Sequence, residues 1–268
     1  MHISKYVQVA RISWENGFVY RLNFVMWRVR MVIQFLTLYF LWAVVTGNQE
    51  QIYSYSQSEI LTYILLSSLV VAIVFSSRSI DAQGEIASGD LNNHLVKPVN
   101  YFSYWLSRDF SDKILNVVFS FLEISVLLLI LKPPFILQSN PLTYFHFFLS
   151  ITLATALYFI FSFIVSMSTF WYYQHNGWAQ RFLVFVLLRT LGGGLFPIDM
   201  LPPIITKILL TLPTAYFIYF PMQVYLERLE PIYIYSGYLI QVFWIIILYF
   251  VSHLMWKKGL KIYGAFGR

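Results

Sequence analysis

The chain has no cysteine among its 268 residues. That removes disulfides, thiolate metal sites and cysteine nucleophiles from consideration. Charge is scarce as well: Asp, Glu, Lys and Arg make up 11% of the residues, whereas soluble domains carry about 25%. Acids are the rarer sign, 12 against 18 Lys and Arg, for a net charge of +6. No Gly-x-x-x-x-Gly-Lys-Ser/Thr loop occurs, so the chain is not expected to bind ATP by itself. No serine-centred nucleophile motif is present, and the five histidines are scattered without ligand spacing. Neither catalytic residues nor a metal site nor a chain-bound cofactor is expected. The first 20 residues lack a short apolar core followed by a small-residue cleavage site, and so do not resemble a cleaved signal peptide.

What is present is apolar surface: 59% hydrophobic residues and 20% aromatic. A water-soluble fold of this length could not hide so much. The class expected is an integral membrane protein. Runs long enough to cross hydrocarbon as helix fall at about Phe24–Thr46, Ile60–Ser77, Ile114–Leu131, Phe145–Phe170, Trp178–Leu195 and Tyr238–Trp256. They are apolar on all sides, unlike the alternating strands of a membrane barrel, and helices satisfy their own backbone in lipid. Trp27, Trp42, Trp105, Trp171, Trp178, Trp244 and Trp256 fall mostly near span ends, where interfacial anchoring is the default.

Lys and Arg alternate along the chain. Lys5, Arg11, Arg21, Arg28 and Arg30 precede or open the first run. Arg78, Lys97, Arg108 and Lys113 follow the second, and Lys257, Lys258, Lys261 and Arg268 close the chain. The connections between carry almost none, which predicts both termini and the 78–113 segment in the cytoplasm. Residues 1–23 carry Val7, Ala10, Trp14, Phe18 and Leu22 at helical spacing, flanked by Arg11 and Arg21. This predicts an interfacial helix along the cytoplasmic face. The spans then divide as 24–77 for the first pair and 114–268 for the remaining four and the tail, all within one domain.

Two segments do not fit a plain span. Residues 192–230 are apolar yet interrupted by Gly192, Gly193, Gly194, Pro197, Pro202, Pro203, Pro213 and Pro221. Short helices dipping into the outer leaflet are expected there. The other, "GEIASGDLNNHLVKPVNYF" from Gly84 to Phe102, is a polar island between apolar runs. Within the spans Glu123 and Arg189 are the isolated charges. They could mark a substrate path, pair with each other, or serve packing or a dimer interface. Arg28 and Arg30 need no more than topology to explain them.

The layout and two stretches, "EIASGDLNNHLVKPVNYF" and "GGGLFPIDMLPPIITKILLTLP", resemble the membrane subunit of type-two ABC exporters over essentially the whole chain. The resemblance implies an all-α integral membrane protein: six transmembrane helices, an N-terminal interfacial helix, a cytoplasmic coupling helix between spans 2 and 3, and re-entrant external helices between spans 5 and 6. It implies a homo- or heterodimer of permeases in a bacterial-type inner membrane, served by separate cytoplasmic ABC ATPase subunits that hold ATP and magnesium. Nucleic acid is not an expected partner. The coupling helix would dock in the ATPase and transmit its closure. Ile86, Leu91 and Leu95 are the candidate docking anchors, Glu85, Asp90 and Lys97 the rim charges, and Gly89 and Pro98 the turn and boundary. The cargo, whether lipid, glycan, peptide or drug-like, is left open. The alternatives are an ion-gradient-driven secondary transporter or a membrane-embedded transferase using nearby acids such as Asp109 and Asp112.

Overall fold

The computed structural model describes residues 3–19, 21–47, 51–172 and 178–264. The chain begins with α1 (Ile3–Val19) and α2 (Arg21–Gly47), followed by a minimal antiparallel hairpin, β1 (Gln51–Ile52) and β2 (Tyr55–Ser56). Next comes α3 (Gln57–Val74). Ser56 starts α3 with a capping box: Glu59 N–H donates to Ser56 Oγ, and the Ser56 N–H donates to Glu59 Oε2 at 2.7 Å. A 3-10 turn (Arg78–Asp81), α4 (Ala82–Ser88) and α5 (Leu91–Leu95) lead into α6 (Tyr101–Leu131). Then come α7 (Pro141–Met167), α8 (Trp178–Leu191), α9 (Pro203–Thr211), α10 (Tyr219–Tyr225) and α11 (Pro231–Ile262).

Among the described residues, five helical stretches are long and apolar enough to cross a membrane: Phe24–Gly47, Gln57–Val74, Tyr101–Leu131, Pro141–Phe170 and Pro231–Ile262. The run expected at Trp178–Leu195 is helical over only 14 residues, about 21 Å of rise. The third long helix begins at Tyr101 rather than near Ile114, because Asn100 caps it and accepts from Ser103 N–H at 3.0 Å. Residues 101–113, expected in a connecting segment, therefore continue the span as a rigid helical extension.

The bundle is built around α3. Of its most apolar window 72% is buried inside the chain, against 17% for α2, 22% for α6 and 11% for α11. The outer helices turn Val44, Leu129 and Leu239 outward. Such surface would be a liability in water and is what hydrocarbon requires.

The Gly/Pro-broken stretch closes one end of the bundle. Gly193 adopts a left-handed φ of +84°, and a Cβ there would sit 2.7 Å from the Tyr63 hydroxyl and 3.0 Å from Tyr219 Cβ. Only glycine allows both the turn and that approach. The corner is locked by Tyr63 Oη donating to Gly193 O at 2.6 Å, Tyr219 N–H to Gly192 O at 2.9 Å, and Trp42 Nε1 to Leu195 O at 3.0 Å. Gly194 N–H turns back to Arg189 O at 2.8 Å. Pro197 precedes a 3-10 turn, Pro202 and Pro203 open α9, and Pro213 opens another 3-10 turn, positions where no N–H is missed. Residues 213–226 are buried throughout and form core with α3 and α7.

Helix α1 lies against α6, tied by Ser111 Oγ donating to Ala10 O at 2.8 Å. Its packed side runs through Tyr6, Val9, Ala10, Ser13 and Trp14. The expected stripe is thus only partly the packed one. Ala10 and Trp14 belong to it, while Val7 and Leu22 are 60% and 72% exposed. The side chains of Phe18 and Arg21 lie outside the described residues, as do the Trp178 side chain and Arg268. Trp105, grouped with interfacial tryptophans by its position, is instead 1% exposed in a core cluster.

Candidate functional site

The polar island folds as two short helices with a glycine hinge. Gly89 ends α4 at φ +88° with open space around its Cα, so glycine is needed there for backbone conformation alone. Ile86 and Leu91 turn inward, 5% and 0% exposed, and join Ala82, Tyr101, Trp105, Phe159 and Phe163 in one cluster. They anchor the segment to its own bundle. Of the three expected docking anchors only Leu95, 46% exposed, faces outward, and it is joined there by Val96 at 83%. Asp90, Asn92, Asn93, Lys97 and Pro98 share that exposed edge.

Glu85, expected at a rim, is drawn beneath the segment instead. It accepts from the Tyr101 hydroxyl at 2.8 Å and lies 3.5 Å from His94 Nε2 and 3.8 Å from Arg108 Nη1. Burial pushes its carboxyl above the usual range, against the pull of Tyr101, His94 and Arg108. Pro98 gives its carbonyl to Lys5 Nζ at 2.7 Å, and the Asn100 N–H donates to Tyr6 Oη at 3.2 Å, so α1 clamps the far end.

The same segment is bonded to the long helices. Arg78 N–H donates to Asp109 Oδ1 at 2.8 Å, and its guanidinium meets Asp112 at 2.9 Å. Lys113 Nζ donates to Ile73 O at the end of α3 at 3.0 Å and to Ser76 O just beyond it at 2.5 Å, while lying 3.5 Å from Asp109. This supplies the positive charge that a helix C-terminus favours. Arg181 Nε of α8 donates to Gln83 Oε1 at 2.9 Å, and Ser166 Oγ of α7 donates to Ser79 O at 3.0 Å. Asp109 and Asp112 are therefore engaged in holding helix ends together. The α4–α5 segment is thus bonded directly to α6 through Glu85 and to α8 through Gln83, the adjoining 3-10 turn to α6 and α7, and Lys113 joins α6 to the end of α3.

Within the spans Glu123 and Arg189 do not meet. Glu123 pairs with Arg28 at 2.9 Å. Arg28 is 6% exposed and also donates to Asn116 O at 3.3 Å and Ser120 Oγ at 3.1 Å. The arginine read as a topology signal is thus a buried bridge between α2 and α6. Its signal in the sequence was that Arg28 lies within the helical run and a lone acid lies on another. Arg189 instead donates to Gln34 Oε1 of α2 at 2.8 Å.

A third polar group went unnoticed in the sequence. At the end that carries α9 and α10, the Tyr55 hydroxyl donates to Asp199 at 2.8 Å and accepts from Gln223 Nε2 at 2.6 Å. Arg228 stacks 3.8 Å over the Tyr55 ring and meets Glu59 at 3.0 Å. These residues come from three separate stretches, 55–59, 199 and 223–228, and no local spacing links the three.

A helical bundle with five membrane-length helices among the described residues, a bonded polar segment at one end and a buried ion pair between two spans defines a multi-pass membrane protein. A family model described as ABC-2 family transporter protein matches residues 32–267, and the chain belongs to that family. It is a transmembrane subunit of the ABC transporter class. No curated protein matches the sequence significantly.

Proposed function

We propose that the chain acts as one permease unit over residues 1–268 of an ATP-driven export system. In this reading α8 is a short fifth span, which with the five long helices makes six. Both termini and the α4–α5 segment lie in the cytoplasm of a bacterial-type inner membrane, and α9–α10 form the re-entrant outer region. Two such subunits, identical or related, enclose the path. Separate ABC ATPase subunits bind ATP and magnesium and drive it.

One observation carries this reading: the α4–α5 segment is two-faced. Its inner face is bonded to the long helices through Glu85, Gln83 and the Ile86–Leu91 cluster. Its outer edge bares Leu95 and Val96 among Asp90, Asn92, Asn93 and Lys97. A few apolar anchors inside a polar rim suit a docking surface that must stay wettable when free. The docking face is thereby reassigned from Ile86 and Leu91 to Leu95 and Val96.

The test is reconstitution with a co-expressed ABC ATPase. Leu95→Asp and Val96→Asp should abolish co-purification and transport while leaving the permease folded. Transport that persists with a hydrolysis-dead ATPase would overturn the proposal.

A further inference from the structure

A cleft of about 630 Å³ opens between α1, α2, α6 and α8, at the end that carries α4. Arg30, Arg78, Arg108 and Arg181 line it, against the acids Asp81 and Asp112, a surplus of two positive charges. Beside these charges its lining carries an aromatic portion that includes Trp27, Phe75, Tyr158 and Phe185. The volume lies in the range of small-molecule sites.

The arginines differ in what holds them. Arg78 is taken up by Asp112 at 2.9 Å, and Arg181 by Gln83 at 2.9 Å with Asp81 at 3.6 Å. Arg30 has no carboxylate partner among the described residues, only the Trp27 ring at 5.2 Å. Beyond the cleft Arg189 lies two turns along α8 from Arg181, on the same face with Phe185 between them. Its one bond is to the neutral Gln34, its Nε is buried without a partner among the described residues, and Arg30 is close enough to repel it. Gln34 lies 10 residues inside the start of the first span at Phe24, about 15 Å of rise and so near the middle of the hydrocarbon. A cation at that depth needs water or an anion. Among the described residues neither Arg30 nor Arg189 meets a carboxylate, so a mobile anion fits.

We infer that this cleft admits an anionic amphiphile, a phosphate-type headgroup on an apolar body, and that Arg30 and Arg189 hand the headgroup inward along α8. The inference rests on the transport reading and gives it a substrate class. Guanidinium groups grip phosphate oxygens as forked donors. The aromatic walls favour an amphiphile over a free phosphate ion.

The test uses the permease alone in nanodiscs of zwitterionic lipid, with fluorescent short-chain phosphatidic acid as probe. Its choline-headgroup analogue and free glycerol phosphate are competitors. The expected result is saturable binding of the anionic probe, with both competitors at least about tenfold weaker. Arg30→Gln and Arg189→Gln should each weaken binding about tenfold, the loss of one charge-assisted bond. Arg30→Lys should retain most of it, and Arg11→Gln on exposed α1 should change nothing. Equal binding of anionic and choline probes would overturn the inference on the unaltered protein, whatever the folding of the variants. Free glycerol phosphate binding as tightly as the lipid would overturn the amphiphile. No ATPase is present, so failure here leaves the coupling reading standing. Failure of ATP-driven transport in proteoliposomes would sink that reading and leave the binding site.

Discussion

Removing Glu123 should cost more than removing its partner Arg28. The two meet at 2.9 Å, with Arg28 at 7% side-chain exposure and Glu123 at 24%. Breaking a buried pair by deleting one member costs about 3–5 kcal/mol, because the other charge is left uncompensated. Glu123→Leu strands Arg28, which cannot shed its proton. Asn116 and Ser120 still accept from it, so the lower end applies, about 3 kcal/mol. Arg28→Met strands a carboxylate, which can neutralise itself by taking a proton and is partly exposed. Asn116 stays engaged by donating to Asp112 O at 2.9 Å. About 1–2 kcal/mol is expected there. The double variant leaves no stranded charge and should lose about 1 kcal/mol, giving a coupling of about 3–4 kcal/mol. Unfolding in mixed micelles titrated with SDS, followed by tryptophan fluorescence, measures all four corners of the cycle. Additive effects, or a costlier Arg28→Met, would refute the argument.

Further outcomes follow from the α4–α5 segment and the glycine corner. Leu91→Ala should destabilise the purified permease itself, by about 2–4 kcal/mol in thermal unfolding, because Leu91 is 0% exposed. Leu95→Asp should leave the melting temperature unchanged and act only on ATPase binding. Gly193→Ala should prevent accumulation of folded protein, since its Cβ would meet Tyr63 Oη at 2.7 Å. Gly89→Ala, with only its φ of +88° to strain, should cost about 1–2 kcal/mol, and Gly89→Asn less. Burial raises the Glu85 carboxyl in the folded state, so the stabilisation it contributes is full below the unfolded value and fades as pH rises through the folded one. Glu85→Gln should remove the fall in melting temperature that sets in as pH rises above the ordinary Glu value of about 4.3.

Much of the architecture was readable from hydrophobic run length, because a bilayer sets the length of what crosses it. Which helix sits at the centre was not. Both α3 and α11 are apolar all round, yet 72% of the α3 window is buried and 11% of the α11 window. In water, periodicity separates a core face from a wet one. In hydrocarbon a neighbouring helix and a lipid tail look alike to leucine, so the pattern carries no such information. The polar island was readable as a special segment from its composition, and its hinge from Gly89. The direction its leucines face was not, since Leu91 and Leu95 lie one turn apart and only the tertiary cluster around Trp105 decides which is buried.

The arginines carry the same lesson further. Arg28 and Arg30 are two residues apart on one helix, and both satisfy a charge-count rule for topology. Two residues turn a helix by about 200°, so their side chains face opposite ways. Arg28 turns to α6 and finds Glu123, Asn116 and Ser120. Arg30 turns to the cleft and α8 and finds Trp27 and the repulsion of Arg189. Among the described residues one meets a carboxylate and the other does not. A cation in a span that meets no carboxylate among the described residues is open to water or a mobile anion. In the proposed transport reading, charged cargo would be met on the α2–α8 side of the bundle, not on the α2–α6 side.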